Sequence, residues 1–233
     1  ASCLVGSEMC IRDSDRVATK VVQNIDGDDD IIYLTGINQV HTGIEAELAG
    51  QISDMLRVDL GFSFGNWIYT DDASGTYRDN DGTDQSYSYS LKDLKVGDMP
   101  QASVSLGLTA SPIEGASVQL SYRYYDLYWS DWSPTSREYD EGETPDRNRS
   151  WRVPSYGLLD LNASYDLPFE YNGAKAQVVL NVRNLLDEVY IQDAVDNSRY
   201  NASPYRINDH SANAAEVYLG MPTAFNLGLK VNF

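Results

Sequence analysis

Cysteine is almost missing from this 233-residue chain. Its two cysteines, Cys3 and Cys10, both lie within the first ten residues, so no disulfide framework can staple the rest. Positive charge is scarce too. Seventeen Lys and Arg stand against 35 Asp and Glu, a formal net charge of −18, and a polyanion of that size is repelled by phosphate backbones. This argues against a nucleic-acid partner. No eighteen consecutive apolar residues occur and mean hydropathy is −0.41, so the sequence holds no transmembrane helix. Transmembrane strands stay open, because they need only every second residue to be apolar.

Catalytic parts are equally thin. There is no His-Glu-x-x-His, no phosphate-cradling glycine loop and no paired cysteine set, and the only histidines are His41 and His210. Gly61-Phe62-Ser63-Phe64-Gly65 spells a nucleophile elbow, which requires a sharp strand-to-helix turn. Strand-like alternation runs straight through the motif instead. The expectation is a protein that is not an enzyme.

What the chain does contain is β material: 17 Tyr, many Val, Thr and Ser, and 17 Gly for turns and bends. The opening ASCLVGSEMCIRDS is set apart. It has no basic start, apolar run or cleavage site of a signal peptide, and Leu4 to Ser14 reads like one translated frame of a transposase sequencing adapter. Residues 1–14 are therefore expected to be non-native, and residues 15–233 to form the protein proper, as a piece of a longer parent.

From about residue 40 the apolar positions recur at period two, the signature of strands. Leu56, Val58, Leu60, Phe62 and Phe64 oppose Arg57, Asp59, Gly61 and Ser63. Val104, Leu106 and Leu108 oppose Ser103, Ser105 and Gly107, and Phe225, Leu227, Leu229 and Val231 oppose Asn226, Gly228, Lys230 and Asn232. Similar alternation over 42–48, 116–125, 158–166 and 175–183 gives seven strands, and a weaker eighth falls at 16–24. The connections alternate as well. Tight turns near Ser53-Asp54, Pro112 to Gly115 and Pro168 to Gly173 separate long loops at about 71–99, 130–154 and 187–222. A soluble β-sandwich has no reason to keep its long loops at one end, whereas a transmembrane barrel does. Trp67, Trp129, Trp132 and Trp151 all fall at the long-loop ends, where an outer aromatic girdle is expected, with Tyr165, Phe169 and Phe233 at the inner one. The polar face is rich in Ser, Gly, Asn and Thr, which fills a small lumen poorly and suits a wide one. The expected fold is all-β: an antiparallel meander of about eight strands, open and curved rather than closed on itself.

The ordered segments resemble the C-terminal part of a TonB-dependent outer-membrane receptor. They are TGIEAEL (Thr42 to Leu48), LKVGDMPQASVSLGL (Leu94 to Leu108), VQLSYRYYDLYWSDW (Val118 to Trp132), NVRNLLDEVY (Asn181 to Tyr190) and LGMPTAFNLGLKVNF (Leu219 to Phe233). Leu186 replaces the family's usual Phe, and Thr223 stands where Arg commonly follows the Pro. The resemblance spans about residues 16 to 233. It implies a 22-stranded barrel around an N-terminal plug, of which this chain holds roughly the last eight strands and neither the plug nor the TonB-contacting segment. It also implies a location in the Gram-negative outer membrane, TonB-driven import of an iron-siderophore, cobalamin or glycan, and contact with outer-membrane lipid. A C-terminal strand ending on Phe233 is what the barrel-assembly machinery would read. A passive porin or adhesive barrel, and a soluble carbohydrate-binding β module, are the competing classes.

Within the expected external loops, Tyr87, Tyr89, Trp129, Trp132, Tyr139, Arg147, Arg149, Tyr200, Tyr205 and Arg206 are the candidate ligand contacts. Aromatic faces stack on sugars or siderophore rings, and Arg forks grip anions. The commoner role of such residues is interface anchoring. Asp79, Asp81 and Asp84 around Gly82 form a candidate calcium loop, which lacks the distal bidentate Glu of a full one. Asp28-Asp29-Asp30 reads as a charged hairpin tip.

Overall fold

The computed structural model describes residues 3–4, 9–23, 29–171, 173–198 and 209–232. The strands, in chain order, are β1 (Cys3–Leu4), β2 (Met9–Gln23), β3 (Asp29–Ser53), β4 (Leu56–Tyr69), β5 (Ala73–Arg78), β6 (Asp84–Tyr89), β7 (Pro100–Ala110) and β8 (Ala116–Trp129). They continue with β9 (Glu138–Tyr139), β10 (Arg152–Val153), β11 (Tyr156–Tyr171), β12 (Ala174–Arg183), β13 (Ile191–Asp196), β14 (Ala215–Leu219) and β15 (Ala224–Asn232). A short 3-10 turn, Pro134–Arg137, interrupts the β structure.

The eight long strands expected from the alternation form one wall, in the order β2-β3-β4-β7-β8-β11-β12-β15 with antiparallel neighbours throughout. The sheet is open: among the described residues β2 pairs with β3 and β15 with β12, and the two edges do not meet. β2 reaches back to Met9, and Met9–Asp13 lie opposite Gly43–Gln39. A free strand edge accepts any extended neighbour, so this pairing is independent of the segment's origin.

Register explains why the faces separate so cleanly. Leu48 lies opposite Leu60, Leu60 opposite Leu106, Leu106 opposite Tyr122 and Tyr122 opposite Leu159, so one face carries a continuous apolar row. The other face carries Thr109, Gln119, Asn162, Asn181 and Asn226 in a polar row. A slip by one residue would exchange the two sets. Among the described residues no layer covers the apolar face. Ile44, Phe64 and Leu108 are exposed, as are Phe225, Leu227 and Leu229. A sheet whose apolar face meets no other layer is the arrangement expected where hydrocarbon supplies the second layer.

The packed cores lie instead in the long connections, here called the external cap. β3 continues past the last residue of β4, which pairs with Gln39. β5 and β6 form a hairpin that joins β3 through Thr35 and Ser74 and joins β9 through Ser88 and Tyr139. Between these pieces Leu34, Ile37, Tyr69, Ala73, Tyr89, Leu91, Leu94 and Trp132 close into a dry cluster. A smaller cluster of Tyr128, Val153 and Ala194, flanked by Trp151 and Ile191, sits where β10 and β13 fold over β8. The segments read as plain loops thus contain the strands β5, β6, β9, β10, β13 and β14.

The outer girdle of tryptophans is not found. Trp129 and Trp132 are buried in the cap, and Trp151 packs on the second cluster. Trp67 shares the polar face with Ser63 and Gly65 and stacks on His41, with centroids 4.8 Å apart and planes 10° from parallel. Two causes are visible. Leu127 adopts a left-handed conformation (φ 52°), which breaks the period just before Tyr128 and Trp129. The cap also satisfies the indole N–H, since Trp132 Nε1 donates to the Lys95 carbonyl at 3.0 Å. At the opposite end Phe169 is exposed, as expected there, and Phe233 lies outside the described residues.

Candidate functional site

The polar face, lumenal in a barrel, widens below the cap into a cleft of about 940 Å³. Its walls come from the long-loop ends of β8, β11, β12 and β15. Tyr125 and Tyr156 are cross-strand partners whose rings are tilted by 42° with centroids 5.2 Å apart, and Tyr190 lies 4.6 Å from Tyr156, tilted by 31°. Arg123 is paired with Asp160, whose other oxygen accepts the Asn184 backbone N–H at 2.9 Å. Arg183 also lines the cleft, with an exposed side chain. Clustered phenol rings beside a guanidinium group can hold an aromatic or anionic ligand.

One rim of the cleft is fixed by the Asn-Leu-Leu-Asp segment after β12. Asn184 and Asp187 both take left-handed conformations (φ 49° and 54°), which Asn and Asp tolerate best after Gly. The Asn184 amide donates to the carbonyls of Glu188 (2.9 Å) and Met221 (3.1 Å) and accepts from the Glu188 N–H. Thr223, at the family's Arg position, donates its hydroxyl to the Asn184 carbonyl at 2.6 Å and its N–H to Asp187. The motif is a knot joining β12 to the start of β15. Leu186 is exposed there and takes no part in the bonding.

The candidate contacts chosen from the loops divide into groups. Tyr89, Trp129 and Trp132 are consumed by packing. Tyr87 packs against the edge of the first cluster, where burial pushes its phenol up, and Tyr139 pairs with Ser88. Arg147 makes a two-pronged ion pair with Asp72, both contacts at 2.6 Å, while Asp72 also accepts the Leu91 and Lys92 N–H groups. The Arg147 hydrogen bond is the main reason the Asp72 carboxyl is held down at about 2. Arg149 is exposed. Tyr200, Tyr205 and Arg206 lie outside the described residues.

Asp79, Asp81 and Asp84 sit at the tip of the β5–β6 hairpin. Asp79 accepts the Asn80 N–H at 2.7 Å, Asp81 accepts the Thr83 N–H at 2.8 Å, and Asp84 lies 3.8 Å from Arg78. Among the described residues no group of three or more His, Cys, Asp or Glu is arranged to hold a metal ion. The hairpin read at Asp28-Asp29-Asp30 is present in part: Asp29 and Asp30 begin β3 opposite Gln23 and Val22, and Asp28 is outside the described residues. Ser63 of the elbow-like motif lies mid-strand opposite Glu45 and Ser103.

Strand alternation and loop composition do not mark out the cleft tyrosines or the buried charges of the cap. Tyr125 and Tyr156 meet only once the β8–β11 register is known. His210, Arg137, Asp146 and Asp196 come from segments as much as 73 residues apart.

The family model described as TonB dependent receptor-like, beta-barrel matches residues 11–185. No curated protein matches the chain. Among solved structures, the FpvAI–pyocin S2 complex is similar with a TM-score of 0.52 at 16% identity, over 95% of this chain and 24% of that one. P. aeruginosa FpvA bound to heterologous pyoverdines gives 0.51 at 17%, over 95% and 24%. The copper transporter OprC gives 0.51 at 14%, over 94% and 27%. These likenesses establish a shared fold, and this chain spans about a quarter of each of those proteins. With the family match covering most of the wall, the chain belongs to the TonB-dependent receptor β-barrel family of the Gram-negative outer membrane.

Proposed function

We propose that the parent protein is an active importer of a scarce nutrient, an iron-siderophore first and a glycan or cobalamin next. The energy comes from a TonB complex acting through an N-terminal plug of the parent. The observation that supports this reading is the cleft at the external end of the polar face. Its tilted cluster of Tyr125, Tyr156 and Tyr190, beside the exposed Arg183, offers aromatic faces and a cation to an anionic chelate. Pyoverdine binding by FpvA and copper transport by OprC lie on the same fold and support a metal-related cargo. Lipid covers the exposed apolar face, which a soluble carbohydrate module would have to hide. The assembly machinery's reading of the C-terminal strand belongs to the same proposal.

The experiment is uptake of labelled ferric siderophores by iron-starved cells carrying the full-length gene, with and without a functional TonB. Energy-dependent uptake that falls at least about tenfold for Tyr156→Ala or Arg183→Gln is the expected result. Uptake independent of TonB would point to a passive porin and overturn the reading.

A further inference from the structure

Away from the cleft, the cap buries two cationic side chains together. Arg137, at the end of the 3-10 turn, is 3% exposed and His210 is 9% exposed. Asp146 and Asp196 reach the same place, from the segment after the turn and from the end of β13. The imidazole is held on both sides: His210 Nδ1 lies 2.5 Å from Asp196 Oδ2, and Nε2 lies 2.7 Å from Asp146 Oδ2. Arg137 faces the same carboxylates, at 3.1 Å from Asp146 and 3.8 Å from Asp196. Ser198 completes the surround by donating its N–H and hydroxyl to Asp196 Oδ1 and accepting the His210 backbone N–H at 3.1 Å.

A neutral imidazole has one N–H and one lone pair, so it can satisfy only one of two flanking carboxylates. The protonated ring satisfies both. With it, two positive groups balance two negative ones; without the proton, a net negative charge stays buried, one carboxylate loses its donor, and a lone pair freed on Nε2 faces both Asp146 and the Arg137 Nη1 donor 2.8 Å away. A metal does not fit as the alternative. The carboxylates occupy opposite ring nitrogens, and the guanidinium already stands within 2.8 Å of Nε2 and 3.4 Å of Nδ1.

The elements joined here are otherwise separate. Arg137 and Asp146 belong to the long connection between β8 and β11, while Asp196 and His210 belong to the β13–β14 hairpin, at the end of β13 and in the connection before β14. The hairpin in turn reaches the cleft, where Gln192 of β13 forms part of the lining and its carbonyl accepts the Tyr128 hydroxyl at 3.3 Å. We propose that His210 is the pin of a pH-sensitive latch: its protonated ring clamps the external segment of Arg137 and Asp146 onto the β13–β14 hairpin, and loss of the proton lets the two part.

The direction follows from the surroundings. Burial, the largest influence, and the Arg137 charge push the His210 pKa down, but the hydrogen bonds to Asp146 and Asp196 and the Asp196 charge outweigh them, so it lies above the ordinary 6.5. A group with a raised folded pKa contributes stability that is complete below its unfolded value and is lost as pH rises through the folded one. The latch is therefore at full strength below about pH 6.5 and releases on the alkaline side. Asp146 and Asp196 are held below the usual carboxylate range against the cost of their own burial, by hydrogen bonds from His210 first and by further bonds from Asn148 and Ser198, and so stay ionised throughout this window.

The test is hydrogen exchange on the full-length receptor at about pH 5.5 and about pH 8.5, corrected for intrinsic exchange. Peptides covering 134–146 and 191–196 are expected to lose protection together, by about tenfold or more, while wall peptides such as 103–110 stay unchanged. His210→Gln should remove the pH dependence. Asp146→Asn, at a more exposed position, should weaken it and serves as the second variant if the first fails to fold. The proposal is overturned if protection is equal at the two pH values, if the variants keep the wild-type dependence, or if wall and cap open together. No ligand is needed, so the outcome is independent of the transport reading.

Discussion

In the wall, Phe64, Leu227 and Phe225 expose 55, 68 and 79% of their surfaces, whereas in the cap Leu34, Tyr89 and Leu91 expose none. The two regions share one chain and one strand type but are stabilised by different surroundings. The wall has ladders and register but no second protein layer, so its apolar face depends on hydrocarbon. The cap behaves like a small water-soluble domain, with a dry cluster, a partnered indole N–H and buried ions that are paired. Volume should therefore govern substitutions in the cap, and polarity should govern those in the wall.

The sharpest way to break this comparison is to cut volume from the cap. Leu34→Ala or Leu91→Ala should destabilise the cap by about 2–5 kcal/mol, read as lost exchange protection in residues 69–94, with the heat-modifiable barrel unchanged. Simultaneous loss of the barrel would mean that wall and cap are one cooperative unit. Next comes charge in the wall. Arg at Leu106, Leu120 or Leu161 should cost about 2–4 kcal/mol at the bilayer midplane, and far less at Ser105, Gln119 or Asn162. Folding titrations into vesicles would measure it, and equal costs on the two faces would refute the assignment of lipid to the apolar one.

A smaller effect is expected at the junction. Asn184→Ala leaves the Glu188 N–H without its partner and forfeits the bonds to the Glu188 and Met221 carbonyls, so a loss of about 1–3 kcal/mol in vesicle-folding stability is expected. An unchanged midpoint would show that water replaces the side chain there. Smallest of all is the Arg147–Asp72 pair, which is partly exposed and screened. Because the Asp72 carboxyl is depressed to about 2, its contribution is complete above its ordinary 3.8 and fades as pH falls toward 2. Exchange across residues 139–150 should stay slow to about pH 3 in the wild type. In Arg147→Gln the pair is absent at every pH, so exchange there should be faster already at about pH 5, with the gap to wild type closing toward about pH 2; identical profiles would remove the pair from the cap's support.

The wall was readable because alternation is a local property: each of β4, β7 and β15 declares its two faces within ten or so residues. β2 was faint for a specific reason. Register shifts between Asp13 and Arg16 and again between Arg16 and Ala18 break its period. The cap was not readable. β5, β6, β9 and β13 are short and rich in Asp, Ser and Tyr, and what buries them comes from distant segments, as when Leu34 and Trp132 join Leu91. The tryptophans misled for the same reason, because an indole at a strand end serves a girdle or a core depending on what folds above it. Of the candidate site, the right residue types in the right loops were legible. Which arginine was committed to Asp72, and which histidine sat between two carboxylates, required contacts across 75 and 64 residues.

Adjacent wall strands are also consecutive along the wall's path through the sequence, from β2 to β15. Such a surface has a natural unit of change. Two strands and their tight turn can be inserted or removed at any seam without rethreading the remainder, and each insertion adds one long segment on the cap side. Circumference and ligand-facing decoration can then vary on separate schedules: the first in steps of two strands, the second residue by residue in segments that the ladder does not constrain.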